Sequence, residues 1–435
     1  MPSMDGKRTV QAVAWAVVGC ALILGLVSRM YEKYSASADS HADTISSTKP
    51  AGPIQHVVVI MQENRSFDHL FNGFPGADTV QSGMNHGVRV PLQPTPLGNG
   101  PDADHTHTGW WQQWDNGKMD NFANKGTVLP YSYILPSETV PYWTLAKKFT
   151  LGDRMFQSNT GPSFVAHQYM IAGQSGKASE NPDTNIWGCD AKPDARVPLL
   201  GPNGTDLPGV YPCFDYQTMA DLLDAKGVTW RYYAPGPTDK FFLLSAYQAI
   251  RHIRFGADWH EDVISPETRV LTDIANGKLA QVTWIVPAFN NSDHPGAPPQ
   301  GPDWVANIVN AIGKSKYWNS TTIFIAWDDW GGFYDHVPPP QTDDMGLGFR
   351  VPVIVVGPYA KRGYVSHVTH EASGFLRYTE EIFHLPSLGT RDAAADDFHD
   401  CFDYTQQPTP FSPVKTTRPA EFFLKQKPSG PPDDD

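Results

Sequence analysis

Five short, mostly apolar runs constrain this chain more than any other feature. The first, 56–61, reads His-Val-Val-Val-Ile-Met, and similar runs recur at 228–234, 281–287, 321–327 and 351–357. Runs that are continuous rather than alternating, and rich in β-branched residues, mark strands buried on both faces of a parallel sheet. Helical patterns at 217–226 and 303–314 precede two of them. Strands alternating with helices predict an α/β fold with a mostly parallel sheet flanked by helices. At 435 residues the chain is longer than the about 250–300 at which single cores stop growing. No internal repeat or composition shift follows residue 53, however, so residues 53–435 are read as one large folded domain.

A different apolar run opens the chain. Lys7 and Arg8 precede residues 10–27, which are apolar apart from Gln11 and just long enough to span a bilayer. Residues 1–28 are therefore read as an uncleaved transmembrane anchor. The rival is a signal peptide cleaved at Ala36-Ser37-Ala38, but roughly ten polar residues separate that pattern from the apolar run, a long spacer. A lipidation box at Val17-Val18-Gly19-Cys20 ranks last, because the run continues past Cys20. Lys7 and Arg8 are balanced by Arg29 and Lys33, so flanking charge does not set the orientation. Residues 29–52, polar and rich in Ser, Ala and Asp, read as a flexible stalk.

Cys189 and Cys213 flank one loop rich in Pro, Gly and Asp and predict a disulfide, hence an oxidising compartment; two buried thiols are the alternative. No CxxC pair or zinc-finger Cys/His spacing occurs, so no structural zinc site is expected. A net charge of −13 argues against a nucleic-acid partner, which needs clustered Lys and Arg.

In open α/β sheets ligands collect beyond the carboxyl ends of the strands, and those positions are unusually polar here. The run at 56–61 leads into Gln62-Glu63-Asn64-Arg65, that at 281–287 into Ser292-Asp293-His294-Pro295, and that at 321–327 into Asp328-Asp329-Trp330-Gly331-Gly332. Glu63, Asn64, Asp328 and Asp329 are hard oxygen donors suited to one divalent cation. Solvated loop carboxylates are the ordinary alternative, but two acids directly after an apolar strand, followed by Gly-Gly, favour the ligand reading. Ser163 opens a helical pattern at 164–172, where a hydroxyl faces a helix dipole that favours phosphate. Local sequence alone reads it as an N-cap serine, and Ser158 and Thr160 offer alternative hydroxyls. His105 and His294 are candidates for proton transfer, although fifteen histidines occur in the chain.

The combination resembles a known family. Glu63-Asn64-Arg65-Ser66-Phe67-Asp68-His69-Leu70-Phe71 is similar to the opening motif of the bacterial phospholipase C and acid phosphatase A phosphoesterases. Further matching blocks are Gly161-Pro162-Ser163 with His167 and Tyr169, Asp293-His294-Pro295, residues 328–337, Arg350-Val351-Pro352, residues 357–361 and Arg391-Asp392-Ala393, so the match runs from residue 54 to about 411. The resemblance implies an alkaline-phosphatase-like fold and metal-dependent hydrolysis of phosphoric esters through a phosphoseryl intermediate. It makes Glu63, Asn64, Asp328 and Asp329 the ligands of one divalent cation of unknown identity, Ser163 the nucleophile, and His105 and His294 the phosphate-side histidines. Two departures bear on substrate. The family often has Asp-Glu at Asp328-Asp329, and its phospholipases usually have Thr with Pro-Asn downstream where this chain has Ser163 with Val165-Ala166. A phospholipid head group and a small phosphomonoester both stay open.

The expected location is the cell membrane, single-pass, with the catalytic domain outside the cytosol. Two other readings are a sulfatase or phosphonate hydrolase of the same fold and a catalytically silent, anchored protein that holds a metal and an anion. The usual sulfatase nucleophile motif, Cys/Ser-x-Pro-x-Arg, is absent around Ser163.

Overall fold

The structure is a computed structural model that describes residues 54–98, 100–201 and 205–433. The predicted anchor and stalk, 1–28 and 29–52, lie outside the described residues. Among the described residues no helix is long and apolar enough to cross a membrane.

Eight strands form the central sheet: β1 (His56–Gln62), β2 (Thr150–Gly152), β3 (Trp230–Tyr233), β4 (Val263–Ile264), β5 (Val282–Ile285), β6 (Thr321–Trp327), β7 (Val353–Val356) and β8 (Tyr364–Ser366), in the order β4-β3-β5-β1-β6-β7-β2-β8. The five apolar runs become β1, β3, β5, β6 and β7. Every residue of β6 is buried, as is every residue of β1 after His56, which explains why neither shows a polar–apolar alternation. All neighbouring pairs run parallel except those made by β7, which is antiparallel to both β6 and β2. The sheet is thus mostly parallel with one reversed strand, and the reversal follows from the connection. Residues 328–352 form a long non-helical loop between β6 and β7 instead of the helical crossover a parallel neighbour requires.

Helices pack on the sheet with their apolar sides inward. Those that matter below are α1 (Phe67–Phe71), α2 (His107–Trp114), α3 (Val140–Lys148), α4 (Ser163–Ala172), α5 (Met219–Lys226), α6 (Gly301–Gly313) and α7 (Gly374–Phe383). The predicted patterns at 217–226 and 303–314 become α5 and α6. A capping box between Thr218 and Asp221 starts α5, and Gly227 ends it at φ 70°, a left-handed turn that favours glycine. A single large apolar cluster joins sheet and helices. A smaller one, built on Trp110, Phe122, Tyr131, Trp330, Tyr334 and Phe349, lies beneath the loop that leaves β6 and fixes its path.

The predicted disulfide is present: Cys189 is bonded to Cys213, while Cys401 is free and buried. The bond closes a loop of 24 residues' separation that contains a hairpin of Val197–Leu200 with Asp206–Val210. Closing a loop of that length restricts the unfolded chain, so replacing both cysteines by serine is expected to lower stability by about 2–4 kcal/mol in urea unfolding. An unchanged midpoint would show that the loop is held by its other contacts alone.

Candidate active site

β1 and β6 are parallel neighbours in register, Gln62 opposite Trp327, so the residues that follow them emerge side by side. The Asp328 N–H donates to the Gln62 carbonyl at 3.0 Å, extending the ladder one step. Asn64 then turns away at φ 59°, a left-handed conformation that asparagine tolerates better than most residues. Its N–H donates to Asp328 Oδ1 at 2.9 Å. Gly331 passes so close behind that a Cβ there would lie 2.3 Å from the Asn64 carbonyl oxygen, and its φ of +60° is again left-handed. Glycine is required at this position by both measures. Asp329 Oδ1 accepts the Gly331 N–H at 2.7 Å, which aims its other oxygen back into the site.

Ser163 enters from α4. It is the first residue of that helix; the cap is Pro162, which makes no side-chain capping bond. The Ser163 hydroxyl instead donates to Asp329 Oδ2 at 3.3 Å. One turn further along the same helix, His167 Nε2 lies 3.1 Å from Glu63 Oε1 and 3.9 Å from Asp328 Oδ2. Ser158 and Thr160 are committed elsewhere: the Ser158 hydroxyl bonds Ser373 and that of Thr160 pairs with His107 Nδ1.

The two histidines form the opposite side. Their ring centroids are 6.2 Å apart. His105 Nδ1 faces the Ala103 carbonyl at 2.8 Å and Asp102 Oδ1 at 3.6 Å, so its Nε2 points to Asn64 Nδ2 at 3.1 Å. His294 Nδ1 bonds the Pro295 carbonyl at 2.7 Å, leaving Nε2 as the free acceptor. Asp293 faces away from the pocket, anchored by the Tyr142 hydroxyl and the Trp327 indole at 2.8 and 3.0 Å.

All seven residues singled out from sequence therefore meet in one place. Glu63, Ser163, His105 and His294 line a cavity of about 30 Å³ with Asp102, Trp187 and Phe241; Asn64 bonds His105, Asp329 bonds Ser163, and Asp328 bonds Asn64 behind them. Larger clefts, about 340 and 550 Å³, lie elsewhere and touch none of the seven. Two contributors were not assigned a role from sequence, His167 and Asp102. The i, i+4 spacing from Ser163 was the available signal for His167. Asp102 had none beyond its position two residues from Asp104 and three from His105.

The electrostatics are those of a cation site. Burial pushes the Glu63 carboxyl up to about 8, Asp328 to about 7 and Asp329 to about 8, with the neighbouring carboxylates adding to the rise. Glu63 Oε2, Asn64 Oδ1 and Asp328 Oδ2 are buried without a hydrogen-bond partner. Orphaned oxygens on three adjacent side chains would be costly unless a positive ion met them. The donor set, three carboxylates and an amide oxygen, fits a divalent cation. Burial holds the His167 and His294 imidazoles below their usual range. His105 is raised to about 10, since Asp102, Asp329 and Asp328 together outweigh its own burial.

Fold and site together define the class: an α/β enzyme that sets a serine hydroxyl beside an acidic, cation-ready cluster at the carboxyl edge of its sheet. Residues 54–386 match the Phosphoesterase family, and the chain belongs to that family. It is a hydrolase of phosphoric esters, metal-dependent in its chemistry. Phospholipase C B of Mycobacterium tuberculosis is 27% identical over 83% of this chain and 80% of its own length. Hemolytic phospholipase C of Pseudomonas aeruginosa is 25% identical over 81% of this chain and 56% of its own. Among solved structures, a protein of the alkaline phosphatase superfamily from Vibrio parahaemolyticus aligns at a TM-score of 0.39 and 9% identity, covering 79% of this chain and 70% of that one.

Proposed function

We propose that this chain cleaves phosphoric esters by a double displacement on Ser163, within an alkaline-phosphatase-like arrangement. The observation that carries the reading is the Ser163 hydroxyl, free of any capping duty and 3.3 Å from Asp329 in the acidic cluster. Glu63, Asn64, Asp328 and Asp329 would hold one divalent cation, which when bound lowers the pKa of a nearby hydroxyl and draws charge from a phosphoryl oxygen. Ser163 Oγ attacks phosphorus and the leaving alcohol departs with a proton. Water then attacks the phosphoserine and frees Ser163. The free Nε2 of His294 serves that proton traffic, and His105 stands beside Asn64 on the side of the transition state's equatorial oxygens. His167 steadies Glu63 and Asp328.

The substrate class divides into two. Relatives named phospholipase C favour a phosphodiester such as a phospholipid head group. The small cavity, about 30 Å³, favours a small phosphomonoester. Hydrolysis of p-nitrophenyl phosphorylcholine and p-nitrophenyl phosphate, each with and without chelator, separates them. Turnover of the diester, lost on chelation, is expected. Turnover of neither would leave the silent binding protein as the better reading.

The same reading places a catalytic domain of residues 53–435 outside the cytosol, carried on the stalk and held to the membrane by residues 10–27. The Cys189–Cys213 disulfide supports this, because such bonds persist in oxidising compartments.

A further inference from the structure

We propose a second metal site, a zinc site with three protein ligands, His370 Nε2, Asp400 Oδ1 and Cys401 Sγ, beside the edge strand β8. It shares no residue with the catalytic cluster and does not depend on the function proposed above. The three donor atoms lie 3.4 Å (His–Asp), 3.8 Å (His–Cys) and 3.5 Å (Cys–Asp) apart. Bonds of about 2.0–2.3 Å to one tetrahedral zinc put nitrogen, oxygen and sulfur ligands at about these separations.

The non-coordinating atoms are held as well. His370 Nδ1 donates to Asp396 Oδ1 at 2.5 Å, the ring stacks on Phe398 with centroids 4.4 Å apart, and the Ser366 hydroxyl lies 3.0 Å from Nε2, so the ring is fixed in direction. Asp400 Oδ2 accepts the Ser366 and Tyr364 hydroxyls at 2.5 and 3.2 Å, which leaves Oδ1 turned towards His370 and Cys401. Such carboxylate–histidine and hydroxyl–carboxylate partners are what orient metal ligands. Cys401 is fully buried and is the free cysteine among the described residues. Loss of its thiol proton on binding gives a thiolate, a carboxylate and a neutral imidazole, whose charge balances Zn²⁺. Asp400 is partly exposed, which leaves a fourth position open to water.

The chemistry of the donors selects the metal: mixed sulfur, nitrogen and oxygen suits zinc, whereas the all-oxygen catalytic set suits a harder ion. The expected effect is a clamp. Asp400 and Cys401 lie beyond the family match at 54–386, and the site ties their segment to β8 and to His370. Sequence reading missed it because it sought paired cysteines, while His370 and Cys401 are 31 residues apart.

The test uses the full chain, stripped by chelator and reloaded with Co²⁺. Wild type is expected to show the near-ultraviolet thiolate-to-cobalt charge-transfer absorption, and so are Cys20→Ser and the catalytic-pocket variant Asp328→Asn. Cys401→Ser is expected to lose it, with bound metal falling by one equivalent. A wild-type protein without that absorption would leave only a protonated hydrogen-bond network and overturn the proposal, even if Cys401→Ser fails to fold. Retention of both the absorption and the metal in folded Cys401→Ser would overturn it equally.

Discussion

Ser163→Ala is expected to lower kcat by on the order of 10⁴-fold or more while the protein stays folded. The two halves of that expectation rest on different observations. Ser163 is the first residue of α4 and not its cap, so the about 0.5–2 kcal/mol that a capping serine contributes is not at stake. Its hydroxyl bonds the carboxylates of Asp329 and Asp328, contacts whose loss costs about 1 kcal/mol each and leaves the thermal midpoint within several degrees. Chemistry is another matter, because the attacking oxygen has no substitute: Ser158 and Thr160 are bonded to Ser373 and His107. Acid quenching of the wild-type reaction is expected to trap phosphoserine in the peptide carrying Ser163. Near-normal turnover in Ser163→Ala, or trapped phosphate on another residue, would remove Ser163 from its role.

Asp328→Asn is expected to lower affinity for the catalytic cation by about 10²-fold or more, and activity with it. The amide keeps an oxygen for the Asn64 N–H but withdraws one of three charges from the cluster. Elemental analysis and activity should fall together; full occupancy in the variant would refute the ligand assignment. The metal-free proteins supply an independent readout. Asp328 has its carboxyl raised from 3.8 to about 7, so folding disfavours its ionised form. Its contribution to metal-free stability is present below about pH 4, falls as the unfolded chain ionises, and is gone above about pH 7. Metal-free wild type is therefore expected to lose stability between pH 4 and 7, and Asp328→Asn to lose less. Cation binding reverses the sense, since it stabilises the ionised carboxylates.

Much of the fold was legible because burial writes itself into residue type. The runs at 56–61 and 321–327 became β1 and β6 almost residue for residue. The β2–β8 side of the sheet was not legible. β2 and β8 hold three residues each, too few for any period to show. The reversal of β7 was hidden for a different reason: Val353–Val356 is buried throughout, and a strand covered on both faces has the same composition in either direction.

At the site, sequence supplied the residue types and the strand ends that carry them. The motif resemblance, more than local chemistry, singled out Ser163, whose neighbourhood read as a helix cap until the tertiary fold placed Pro162 in that position. His167 was visible as part of a motif but had no partner to give it a role, because Glu63 lies 104 residues away. The same distance effect hid His370 from Cys401.

By itself, then, the sequence determined which long segments are buried strands and which polar groups stand at their ends, since both are fixed by local composition and order. Only the tertiary structure decided which strand ends are neighbours, and with that the acidic cluster. Glu63 and Asp328 share a pocket because β1 and β6 pair in register, a long-range hydrogen-bonding choice that neither segment encodes alone.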